Sequence, residues 1–87
     1  MNYNVYTIYD RAAKHYLRPT CYQNDEVAIR AFKTLVLDAT GQMGMFPEDY
    51  SLVLIGSYDD DIGWIESRDH QTVIRGDALV TPKESKE

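Results

Sequence analysis

The hydrophobic pattern is densest between Pro47 and Glu66, and the rest of the chain is arranged around that stretch. Pro47 presets φ for the first position of a tight helical turn, and Glu48 and Asp49 suit its positive end. Leu52, Val53, Leu54 and Ile55 follow as an almost unbroken apolar run, as expected of a strand covered on at least one face. Asp59, Asp60 and Asp61 then form an acidic hairpin loop, with Gly63 available for the φ > 0 that the reversal needs. Trp64 and Ile65 open the returning strand.

Upstream, residues Tyr3 to Tyr9 alternate with strand periodicity. Tyr3, Val5, Thr7 and Tyr9 fall on one face, and Asn4, Tyr6 and Ile8 on the other. Both faces carry aromatic or apolar groups, so a central strand or one covered by a second copy is expected. Asp10 to Lys14 reads as a turn. His15 to Tyr22 reads as a second strand, with Pro19 marking an edge or a bulge. The two strands make an antiparallel hairpin.

Asn24 is a suitable N-cap for a helix running to about Asp38 or Ala39, and Asp25 and Glu26 complement its positive end. Ala28, Ala31, Phe32, Leu35, Val36 and Ala39 recur at three- and four-residue spacings and predict one buried stripe. Arg30 and Lys33 lie outside it. Gly41 is a credible stop, and Met43, Met45 and Phe46 in the following loop are expected to pack over the core. After the central hairpin, Thr72–Arg75 predicts a short fifth strand, broken by Gly76-Asp77, and Ala78–Val80 docks weakly. The expected architecture is α+β in the order ββαββ, with the additional strand. An antiparallel sheet is covered on one face by one helix, in a single domain of residues 1–81 with a flexible tail over 82–87.

Charge is unevenly distributed. The 87 residues carry a net −5, but residues 1–44 hold five basic and four acidic groups, whereas 45–87 hold four and ten. The imbalance works against nucleic-acid binding over the whole surface, which phosphate neutralisation drives, and leaves room for a local basic patch in the N-terminal half. One cysteine excludes an internal disulfide and a cysteine-based zinc site, and Cys21 is expected to be a small buried hydrophobe. No basic start precedes an apolar run and no segment approaches the ~20 apolar residues of a membrane span. Neither a signal peptide nor a membrane association is therefore expected, and a cytoplasmic location is.

Candidate chemistry is sparse. Asp59–Asp61 lack the glycine and terminal glutamate positions of a calcium loop, so a solvated hairpin loop is the expected reading and no metal is assigned. His15 and His70 stand in different predicted elements without partners at ligand spacing. No nucleophile elbow, phosphate loop or dinucleotide fingerprint occurs, so neither an enzyme nor a cofactor is expected. The constellation that remains is aromatic and basic. Tyr6, Tyr9 and Tyr16 interleave with Arg11, Lys14 and Arg18, and Arg30 and Lys33 on the helix extend the charge. Single-stranded nucleic acid binds where bases stack on exposed aromatics beside cations. The plainer alternative has those tyrosines in the core or in a dimer seam.

Several short segments occur together in a familiar order: Asn4-Val-Tyr-Thr-Ile-Tyr-Asp10, Ala28-Ile-Arg-Ala-Phe32 and Pro47-Glu-Asp-Tyr50, then Leu52, Ile55-Gly56, Tyr58-Asp59 and Gly63. With these segments the chain resembles the small nonstructural protein of gokushovirus-type microviruses, single-stranded DNA phages of bacteria. The resemblance implies a role by analogy in the switch from duplex replication to single-strand synthesis and packaging. It transfers no catalytic or ligand residues. Most matched positions explain folding, and Arg30 is the exposed cation among them.

The leading expectation is a non-enzymatic phage accessory protein in the host cytoplasm, acting in viral DNA replication or its switch to packaging. Single-stranded DNA or a phage or host replication protein would be its partner, and the chain would be a homodimer. Arg11, Lys14, Arg18, Arg30 and Lys33 would neutralise phosphates while Tyr6, Tyr9 or Tyr16 stack bases. The alternative is a protein-interaction module whose Asp59, Asp60, Asp61 and Glu66 engage a basic host or phage protein.

Overall fold

Two long strands, β4 (Tyr50–Asp59) and β5 (Trp64–Arg75), turn on the acidic loop and form the spine of the molecule. The structure is a computed structural model that describes residues 1–80, so the tail expected from Pro82 lies outside the described residues. Before the spine come β1 (Asn2–Asp10), β2 (His15–Tyr16), β3 (Thr20–Tyr22) and α1 (Asp25–Val36). A short α2 (Gln42–Met45) and a 3₁₀ turn at Pro47–Asp49 lead into β4, and α3 (Gly76–Leu79) follows β5. The strands form one antiparallel sheet in the order β2-β1-β4-β5, with β3 also paired to β1. The fold is α+β, as the pattern implied.

Two strands differ from expectation. The second strand of the first hairpin is broken: the Leu17 N–H still donates to the Ile8 carbonyl at 2.8 Å, but Arg18 and Pro19 leave the ladder between β2 and β3. Proline lacks the N–H that a continuous edge pairing needs. Conversely, the short strand expected at Thr72–Arg75 is the far half of a continuous β5. Its polar middle is accommodated by register shifts between Leu52 and Val53 and between Leu54 and Gly56. The second shift leaves Arg68, Asp69 and His70 between the paired Ser67 and Gln71. Alternation is the signal that sequence patterns read, and a bulge erases it.

The core forms where the Tyr6/Ile8 face of β1 and Tyr50, Leu52 and Leu54 of β4 meet α1. Ala28, Phe32 and Val36, spaced by four, point into the sheet and are buried. The Asn24 side chain accepts from the Val27 N–H at 3.0 Å and starts the helix as expected. The helix ends at Val36 rather than Asp38 or Ala39, so Ala39 is outside it and exposed. Leu35 is 46% exposed. It sits about 60° round the helix from Phe32 (three residues at ~100° each) and faces an open cleft instead of the sheet. That cleft, about 280 Å³, lies where the chain departs from β1 and is lined by Tyr22, Phe32, Leu35 and Arg18, among others.

Other core expectations need correction. Met43 packs on the core, but Met45 and Phe46 are exposed, because α2 spans a single turn and presents one side only. Cys21 is exposed, since β3 is a three-residue edge strand with no layer over it among the described residues.

Candidate functional site

The described helices lie on the Tyr6/Leu52 side of the sheet, where Met43 of α2 and Leu79 of α3 join the core. The register places Tyr3, Val5, Thr7 and Tyr9 on the other face, beside Val53, Gly56 and Tyr58 of β4 and Ile65 of β5. On this outer face the Tyr9 and Tyr16 rings meet at 4.7 Å between centroids. Tyr16 in turn meets His70 edge-on at 5.5 Å. The Thr7 hydroxyl donates to the Leu17 carbonyl at 2.6 Å and anchors the segment that follows Tyr16. Three aromatic rings therefore run in contact across the face that no described helix covers.

Tyr6 does not belong to this set. It is 1% exposed and faces α1, so its ring cannot stack on a base. The alternation in β1 separated Tyr6 from Tyr9 correctly, but only the tertiary structure decides which face the helix takes. His70 was missed for the opposite reason. It lies in the bulged middle of β5, where polar residues without periodicity gave no strand signal, and the bulge brings it to Tyr16.

The cations do not gather at one point. Lys14 sits exposed at the β1–β2 turn with φ +61°, in the left-handed region, its N–H donating to the Asp10 carbonyl. Arg11 is exposed at the same turn, and its guanidinium donates to Asp49 at 2.8 Å. Arg18 lines the cleft on the helix side of the sheet. Arg30 and Lys33 are exposed on α1; Lys33 falls on the opposite flank of the helix from Leu35.

The acidic cluster is at the other end of β1, since Asn2 pairs with Asp59 while Asp10 pairs with Tyr50. Nine residues at ~3.3 Å each separate the two ends by roughly 30 Å. The carboxylates of Asp59, Asp60 and Asp61 converge within 4.8 Å of one another. The Met1 ammonium donates to Asp60 and Asp61 at 2.9 Å, and those hydrogen bonds push its pKa up to about 10. Glu66 is exposed in β5 opposite Ser57, on the same face as Asp59. Around the carboxylates stand Ile62, Trp64 and Ile65, which are 71%, 62% and 65% exposed.

The family model of the Phage ORF5 protein matches residues 3–79, from β1 through α3. The chain belongs to the phage ORF5 protein family. Both the aromatic face and the acidic hairpin lie inside the matched region. Neither the curated proteins nor the solved structures contain a match to this chain. No helix among the described residues is long and apolar enough to cross a membrane.

Proposed function

We propose that this phage ORF5 protein is a non-enzymatic accessory protein of a gokushovirus-type microvirus. It acts in the host cytoplasm in viral DNA replication or in the switch to single-stranded genome synthesis and packaging. Its outer sheet face contacts single-stranded DNA. The observation that supports this reading is the Tyr9–Tyr16–His70 array on a sheet face that no described helix covers. Bases stack on such rings without sequence preference, and each stacked base contributes about 1–3 kcal/mol. Lys14 at the adjoining turn supplies a cation for phosphate, while Arg11, already bonded to Asp49, contributes less. Arg18, Arg30 and Lys33 lie off this face and carry a strand only if it wraps the edge beyond β3.

The test is fluorescence anisotropy with labelled single-stranded DNA at several salt concentrations. Saturable binding that weakens with salt, and that falls on Tyr16→Ala, supports the face as the site. Binding indifferent to Tyr9→Ala, Tyr16→Ala and Lys14→Ala would move the site elsewhere, and no binding at low salt would remove the DNA contact altogether.

A further inference from the structure

The β4–β5 hairpin continues past the N-terminus of α1. Its end carries three large apolar side chains within four positions, each more than three-fifths exposed: Ile62, Trp64 and Ile65. From Trp64 to Thr72 every residue of β5 is exposed. Nothing in the fold requires this, because the core is complete without the tip. Scattered exposed apolar residues are ordinary, but a tryptophan between two isoleucines on a projection is the composition of an interface anchor. Around it stand Asp59, Asp60, Asp61 and Glu66, with Arg68 as the basic side chain lining the same cleft as Asp59, Trp64 and Glu66, so acidic groups still outnumber it.

That ring of carboxylates discriminates among occupants. Two copies brought tip to tip would place like charges together, as would the phosphates of a nucleic acid or the headgroups of an anionic bilayer. A protein surface with lysine or arginine around an apolar pocket has the complementary charge. The tip already holds one primary ammonium, that of Met1, between Asp60 and Asp61. We infer that the hairpin tip is a docking prong for a basic protein partner. Trp64 on the Asp59 face of the hairpin and Ile65 on the outer face flank the tip, so the partner's apolar cleft straddles the hairpin end, and the four carboxylates pair with its basic rim. This surface is distinct from the aromatic array, so it stands or falls separately from DNA binding.

Trp64 is the sole tryptophan, so its emission reports the tip directly. The full chain is titrated with a peptide of alternating leucine and lysine, and with a glycine–lysine peptide of equal charge. The expected result is a saturable blue shift with the first peptide alone. Ile62→Ser with Ile65→Ser should weaken it at least about tenfold, since two buried isoleucine contacts are lost. Asp59→Asn, Asp60→Asn and Asp61→Asn together should weaken it and flatten its salt dependence. Circular dichroism confirms that these exposed-site variants stay folded. Equal binding of the glycine–lysine peptide reduces the tip to unspecific charge and overturns the proposal. A concentration-dependent shift in the protein alone assigns the tip to self-association, and a shift with zwitterionic vesicles assigns it to a lipid surface. Either result overturns it, as does the absence of any shift.

Discussion

The Tyr6 phenol, in the middle of β1, donates to the Asp25 carboxylate in the first turn of α1 at 2.5 Å. Asn4 donates to the same phenol oxygen at 3.0 Å. A tyrosine this deeply buried needs a partner for its hydroxyl, and the helix N-terminus that favours Asp25 provides one. The bond ties the sheet to the start of the helix, and the burial that creates it withdraws Tyr6 from the outer aromatic face.

Alkaline stability should depend on that bond. Burial, reinforced by the Asp25 carboxylate, pushes the Tyr6 pKa up to about 12 from its ordinary value of 10.0. The folded state therefore keeps a proton that the unfolded chain loses first. This contribution is fully present below pH 10 and is lost as pH rises from there through about 12. Tyr50, raised by burial and by Asp10, adds a contribution of the same sign. Urea unfolding between pH 8 and 11.5 should show stability falling above pH 10, with a shallower fall in Tyr6→Phe. Below pH 10 that variant should cost about 1 kcal/mol for the lost hydrogen bond. An identical alkaline limb in both proteins would refute the assignment.

The helix offers a contrast between two residues that sequence periodicity treats alike. Phe32 is 1% exposed and Leu35 46%. Phe32→Ala should cost about 3–5 kcal/mol, a large share of the stability of a domain of this size. Leu35→Ala, at the open cleft, should cost less than about 1 kcal/mol, the range for a half-exposed aliphatic. Chemical denaturation measures both. Comparable losses would mean that Leu35 is covered in solution.

These cases show where the sequence was legible. The Asn24 cap, the apolar run Leu52–Ile55 and the acidic turn depend on local chemistry, and each stands where its residues indicate. Leu35, Tyr6 and His70 depend on how elements meet. The helix stripe marks a sector about 100° wide, and only the sheet's position decides which part is covered. The β1 alternation defines two faces without naming the inner one. His70 reaches Tyr16 through a bulge whose position is set by the partner strand rather than by residues 68–70 themselves.

The central hairpin contains two glycines with different demands. A Cβ on Gly56 would stand 2.4 Å from the Glu66 carbonyl oxygen, a backbone atom that can move only with β5. Gly63 has φ +67° and nothing within 4 Å of such a Cβ. Gly56→Ala should therefore cost about 1–3 kcal/mol by overpacking and disturb the whole β4–β5 ladder. Gly63→Ala should cost about 1 kcal/mol through backbone strain alone, and Gly63→Asn less, because asparagine tolerates the left-handed region. Amide exchange along β5 separates the two: Gly56→Ala should speed it across the strand, Gly63→Ala only near the turn. A neutral Gly56→Ala would mean that the strands are farther apart there.

Cys21 pairs with Val5 on the edge strand β3 and is exposed, against the expectation of a buried thiol. An edge strand of three residues has solvent on its open side, and nothing in the described chain closes over it. A disulfide reagent should therefore label one thiol per chain in the native state. The rate should lie within about an order of magnitude of that in denaturant, because access needs no opening of the fold. Cys21→Ser should change stability by no more than about 0.5 kcal/mol, as for other exposed positions. Labelling that waits for global unfolding would show that this edge is covered in solution. If the protection then disappeared on dilution, a second copy would be the cover, and the β3 edge would be its interface.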